Sequence, residues 1–506
     1  MNSSLRMFVV TIVVVVVLSA VLFWPRPQQS DDVRELFFYC AAGIKPPIEA
    51  TIKEYEKTYG VKIRTDYRGS GALLSAIEAS KRGDLYLAAD ASYIEIARKK
   101  GLAAERLPVA RLRPVIGVAA GNPKKIQSIA DLMRPDVRFG MANPEAASVG
   151  KQTKRILTGT GEWEALEPTI KVYKPTVTEI ANDVKLGAID AGIIWDATAN
   201  QYPEIDLVAV DAFDAKTLNV TISVLTSCEQ PAAALRFARF LQARDRGMLH
   251  FEKHGYQTVD GDPWEPQPHL VLYSGGVNRM AIEETIGDFE KREGVKITSV
   301  FNGCGILTAQ MKTMKGSKDF PDAYFSCDVS FMNQVEGLFL APRDISETDM
   351  VVVVPKGNPK NIAGLETLAG PGLKIGVAHP SQSALGALTK SLLEESDLYS
   401  IVHKNVRVEV PTADMLVNQL KTGALDAAIV YEANTSQVRD AIDVLPIEHA
   451  RAKAIQPFAV SRASKHKYLS ERFQEALLSR ASKDRFEHTG FRWLSNDAQL
   501  SSKISN

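Results

Sequence analysis

The chain has 506 residues, too many for one ordinary domain, and a composition 45% hydrophobic and 24% charged excludes extensive disorder. Lys+Arg and Asp+Glu each number 60, so the net charge is zero and nothing indicates the basic surface a nucleic-acid partner would favour. Four cysteines without a C-x-x-C pair, and eight histidines without an H-E-x-x-H motif, exclude a disulfide scaffold and argue against a zinc enzyme; no metal site and no cofactor are expected.

In chain order, the first feature is an apolar run over residues 7–24, preceded by Arg6 and stopped by Pro25, Arg26 and Pro27. At 18 residues it is at the short end of what spans a bilayer. It has no A-x-A-like cleavage site, because Leu18 stands at the first position of the nearest match. We read residues 1–34 as a membrane anchor and spacer, with a cleaved signal and secretion as the alternative. Either places the rest of the chain on the periplasmic or extracellular side of the membrane, and Arg6 favours an inside N-terminus.

Beyond the spacer, short apolar runs alternate with amphipathic stretches. Strands are predicted over residues 36–42, 61–67, 84–88, 113–120, 138–142, 170–173 and 191–195. Helices are predicted over 47–58, 70–81 and 92–100, the first and last stopped by Gly60 and Gly101. This alternation implies a parallel sheet covered by helices on both faces. Ligands then bind beyond the carboxyl ends of the strands. Three such ends lead through small residues into helices: Gly43, the turn Arg68-Gly69-Ser70-Gly71, and Ala147-Ser148-Val149-Gly150. Free N–H groups and the helix dipole favour an anion there. Each loop alone is better explained as a capped strand-to-helix turn; three together point to a pocket.

The chain also repeats itself. Residues 48–63 and 282–297 are identical at 10 of 16 positions, at an offset of 234. Gly121-Asn122-Pro123-Lys124 recurs as Gly357-Asn358-Pro359-Lys360, and the segment at 185–191 recurs at 421–427, both at an offset of 236. Landmarks in one order at a nearly constant offset mean a duplicated domain. The join falls near residues 260–268, which hold three prolines, and gives modules at 35–262 and 263–506.

Four segments of the first copy carry a resemblance: Tyr39-Cys40-Ala41-Ala42-Gly43, Arg68-Gly69-Ser70-Gly71, Asp84-Leu85-Tyr86-Leu87-Ala88-Ala89-Asp90 and Gly192-Ile193-Ile194-Trp195. Each copy resembles the periplasmic molybdate-binding proteins of ABC importers, which are type II solute-binding proteins. The second copy keeps a worn form of the third segment in Asp322-Ala323-Tyr324-Phe325-Ser326-Cys327-Asp328. The resemblance implies an α/β fold of two tandem Venus flytrap modules after the N-terminal transmembrane helix, each of two α/β lobes closing on a small oxyanion. It also implies an ABC permease as partner and no catalysis. Its ligand positions fall on Gly43, Ser70, Val149 beside Ser148, Val177 and Trp195, with Gly71 in the same turn. In the second copy they fall on Val277, Cys304, Leu385, Ala413 and Tyr431, with Ser274 and Gly305 adjoining. The second copy thus lacks both ligand serines, and the first retains one.

Lys45, Arg68, Lys151, Arg279, Asn302 and Gln382 neighbour these positions and suit either a different anion or plain solvation. Cys304 and Cys327 both follow strands at the ligand edge, where a disulfide and two buried thiols are both open readings. No G-x-S-x-G turn, Walker A loop or dinucleotide fingerprint occurs. Asp90 and Asp328 read as turn or cap residues. The rival to a transport receptor is a tethered sensory or interaction ectodomain with one or both pockets degenerate.

Overall fold

A computed structural model describes residues 35–214 and 217–494. The expected membrane anchor at 1–34 lies outside them. Among the described residues no helix is long and apolar enough to cross a membrane.

The first domain has two lobes. One is built on a six-stranded sheet in the order Gln257–Thr258, Leu107–Leu112, Leu218–Val224, Leu85–Ala88, Glu35–Ala41, Lys62–Arg68. The other has five strands, ordered Ile170–Lys174, Phe139–Ala142, Ala191–Trp195, Pro114–Ala119, Ile205–Val208. The parallel expectation holds where helices connect neighbours, as between Glu35–Ala41 and Lys62–Arg68. It fails elsewhere: Leu218–Val224 runs antiparallel to both of its neighbours, and Pro114–Ala119 is antiparallel to Ala191–Trp195. The chain leaves one lobe for the other and returns, so the crossing strands enter each sheet from the opposite end. Apolar runs reveal a strand but not its direction.

Local chemistry sets the element ends. Helix Lys45–Tyr59 carries prolines in its first turn, where no N–H is missed, and stops at Gly60 with φ 72°. Its counterpart Arg279–Glu293 stops at Gly294 with φ 67°. Tyr55 of the first helix stands edge-on to Phe237 and Phe240 at 5.0 and 5.1 Å, anchoring it on helix Pro231–Gln242.

The second domain repeats these elements in a ten-stranded sheet, because strand Arg343–Pro355 runs unbroken through both lobes. The two domains meet along helices Pro231–Gln242 and Arg279–Glu293. At their junction Glu293, 2% exposed, accepts from Arg239 Nη1 at 2.9 Å and from Arg472 Nε at 2.6 Å. Burial pushes the Glu293 carboxyl up, but the two guanidiniums outweigh it and hold it below the usual range. The linker is fastened on both sides: Trp264 donates its indole N–H to Tyr59 at 2.9 Å, and Asp262 accepts from the N–H groups of Tyr468 and Leu469.

Candidate functional site

In the first domain, strand Lys62–Arg68 delivers the chain to helix Ser70–Ser80 through Gly69. Ser70 is 1% exposed, and its hydroxyl oxygen accepts the Ala89 N–H at 3.2 Å. Among the described residues its own proton has no acceptor. From the opposite lobe, helix Ser148–Thr160 begins with Ser148, also buried, whose hydroxyl has no hydrogen-bond partner among the described residues. Gly43 faces Val177: a Cβ on Gly43 would lie 2.6 Å from Val177 Cγ1 and 3.7 Å from Trp195 Cδ1. Gly43, Ser70, Ser148, Val149, Val177 and Trp195 line one pocket of about 20 Å³. That is room for roughly one water, so admitting a four-oxygen anion requires the lobes to part.

Gly71 has a different task. Its N–H and that of Ala72 donate to the Ala146 carbonyl of the opposite lobe at 2.9 and 3.2 Å, closing the cleft directly. The neighbouring cations are engaged by other groups, although Arg68 also lines the pocket. Arg68 pairs with Asp66 at 2.9 Å. Lys151 donates to Ser92 Oγ at 2.9 Å and lies 4.1 Å above the Tyr93 ring. Asp90 is the cap of helix Ala91–Lys99, accepting from the Ser92 N–H. Thr198 stands just behind the pocket wall: it is 1% exposed, its hydroxyl is unpartnered among the described residues, and its Oγ1 would lie 3.8 Å from a Cβ on Gly43. It sits just past strand Ala191–Trp195, where the strand-end rule could have found it.

The second domain brings its equivalents together in the same arrangement, packed into its core as Val149, Val177 and Trp195 are in the first. Val277, Cys304, Leu385, Ala413 and Tyr431 belong to one hydrophobic core cluster. Ser274 donates to the Gly275 carbonyl at 3.2 Å. Gly305 repeats the closing contact of Gly71, donating to the Gln382 carbonyl at 3.0 Å. Tyr431 is 2% exposed with its hydroxyl unpartnered among the described residues, and burial pushes that phenol well up. Cys304 takes the place of Ser70 even in detail: its sulfur accepts the Cys327 N–H at 3.1 Å, as Ser70 accepts that of Ala89. Both thiols are free and buried, with sulfurs 2.7 Å apart.

A family model described as a bacterial extracellular solute-binding protein matches residues 36–257 and again residues 270–492. The chain belongs to this family, as a tandem duplication. Among curated proteins, a putative binding protein of Haemophilus influenzae is 26% identical over 227 residues, covering 45% of this chain and 92% of that protein. The molybdate-binding protein ModA of Mycobacterium bovis is 30% identical over 226 residues, covering 42% of this chain and 81% of its own. Among solved structures, the periplasmic molybdate-binding protein of Azotobacter vinelandii is 17% identical with a TM-score of 0.38, covering 44% of this chain and 98% of that one.

Proposed function

We propose that the first domain binds a small oxyanion of the molybdate or tungstate type and delivers it to an ABC-type permease. The whole chain works on the outer side of the membrane, tethered through residues 1–34. The observation that carries this reading is the pair of buried serine hydroxyls, Ser70 and Ser148, at the starts of helices from opposite lobes and lining one pocket. Hydroxyl and backbone donors held in place by a fold replace the water of a dianion without a neutralising cation. The ModA relative is named for molybdate binding, which supports the same class.

The test is calorimetric titration of the full chain with molybdate, tungstate, sulfate and phosphate. About one equivalent of molybdate or tungstate is expected, weakened about tenfold or more by Ser70→Ala, the scale of one hydrogen bond to a charged group. Binding of none of the four would remove the oxyanion assignment. For the second domain alone, Cys304 in the place of Ser70 and Ala384 in the place of Ser148 remove both hydroxyl donors, which favours a cleft that no longer serves this anion.

A further inference from the structure

A cavity of about 880 Å³ opens on the flank of the second domain's cleft, within the size range of small-molecule sites. In the first domain three side chains of helix Ser148–Thr160 form a latch across the corresponding position. Lys151 donates to Ser92, Gln152 donates to the Asp90 carboxylate, and Arg155 donates to Gln152 at 2.7 Å. The matching helix, Ala384–Glu395, has Ala387, Leu388 and Ser391 at those positions. The register is secured by glycine: Gly150 packs on the Ala142 carbonyl as Gly386 packs on that of Ala378. The latch has been cut back, and its three successors line the cavity.

The shortening also frees a buried carboxylate. Asp328, the counterpart of Asp90, is 5% exposed. One oxygen accepts from the N–H and hydroxyl of Ser330 at 2.9 and 2.6 Å, and the other, among the described residues, has only the Ile455 N–H at 3.3 Å. The side-chain donor that Gln152 gives Asp90 has no successor, because Leu388 carries no polar group. A carboxylate offers about four acceptor sites, so Asp328 has capacity for a donor from a guest. Lys312, Arg451 and Lys453 line the same cavity. Both cations are themselves exposed: Arg451 pairs with the exposed Glu395, a pair that holds weakly and yields to a better anion, and Lys453 lies 3.4 Å from the half-buried Glu347, which Arg492 also holds.

We propose that this flank of the second domain binds a hydroxylated organic anion of sugar size. Its carboxylate or phosphate meets Lys312, Arg451 and Lys453, and a hydroxyl donates to Asp328. A four-oxygen inorganic anion would leave most of the cavity unfilled and Asp328 without its donor. The proposal stands apart from the oxyanion reading of the first domain, since none of that pocket's residues lines this cavity.

The test titrates the full chain with glucose 6-phosphate, gluconate, glucose and inorganic phosphate, and separately with molybdate as the report on the first domain. At least one of the two sugar-sized anions is expected to bind with about one equivalent, and glucose and phosphate about tenfold or more weaker, since each lacks one half of the recognition. Ala387→Lys together with Leu388→Gln, which copies the first domain's latch, should abolish that binding. Lys453→Glu, at an exposed position, should weaken it about tenfold without disturbing the packing. Molybdate titration should be the same in all variants. Binding of neither anion above glucose and phosphate would overturn the proposal, and so would undiminished binding in either variant.

Discussion

The two domains descend from one module, yet they treat the strand that joins their lobes in opposite ways. In the first domain it is interrupted at Arg113, between Leu107–Leu112 and Pro114–Ala119, and the lobes keep separate sheets. In the second it runs on from Arg343 to Pro355. Proline explains the break. Pro114 has no N–H to give, whereas Met350 in its place donates to the Ala452 carbonyl of the returning segment at 2.8 Å. Arg113 turns instead to Asp196 and Asp214. The second hinge is further braced by Arg492, which reaches Glu347 at 2.9 Å and Asp349 at 2.7 Å. The cleft with the small pocket has the interrupted hinge strand. The domain with a standing lateral cavity has the continuous one.

The largest expected effect tests whether this difference exists inside one rigid body. Glu293→Gln leaves Arg239 and Arg472 buried against each other, and should cost about 3–5 kcal/mol of stability in urea unfolding. We expect the single transition of the parent to split into two, one per domain. The pH dependence has a definite sign. The Glu293 pKa is depressed in the fold, so its contribution is complete above the unfolded value of about 4.3 and is lost as pH falls through the folded value. Parent and variant should therefore converge in acid; a constant gap down to the lowest pH would mean that the charge is not what matters.

A second effect is expected where the two clefts are packed with exchanged volumes. Gly43 faces Val177 in the first domain, and Val277 stands at the matching place opposite Ala413, the start of the matching helix. Gly43→Val should cost about 1–3 kcal/mol through overpacking. Adding Val177→Ala, which reproduces the second domain's pair, should recover most of it, giving a coupling measurable in a double-mutant cycle. Simple additivity would show that the two clefts are not packed as equivalents.

Much of this architecture was legible beforehand because duplication doubles every signal. Strand 36–42, helix 47–58 and helix 70–81 match Glu35–Ala41, Lys45–Tyr59 and Ser70–Ser80 to within one or two residues. The return strands Leu107–Leu112, Ile205–Val208 and Leu218–Val224 were not legible, and with them the mixed character of the sheets. A polar residue in a short strand dilutes its period, and crossing between lobes leaves no local mark. Six of the seven positions expected in the first pocket do line it, since strand-end small residues are a backbone requirement. Thr198 was missed because the strand-end rule was applied to small residues leading into helices, not to a threonine three residues past Trp195. The flank cavity was missed because it is made by what Ala387 and Leu388 lack.

The last contrast concerns the sulfurs. Where the first domain has Ala41, Ser70 and Ala89, the second has Gly275, Cys304 and Cys327. The three changes fit one another: a Cβ on Gly275 would lie 2.1 Å from the Cys327 sulfur and 2.9 Å from that of Cys304. Burial pushes the Cys304 thiol up, but hydrogen bonds from Cys327 outweigh it and hold the thiol below its ordinary value. Cys327 is pushed well up by its hydrogen bond to Cys304 and by burial. Treating the full chain with diamide should join the two, each thiol losing a proton and the pair passing two electrons to the diamide, with a mass loss of about 2 Da. Cys304→Ser should abolish that loss while changing stability by less than about 1 kcal/mol, because the serine oxygen can accept the Cys327 N–H as Ser70 accepts that of Ala89. A parent chain that keeps both thiols under diamide would show that core packing, not a redox bond, is what replaced the serine.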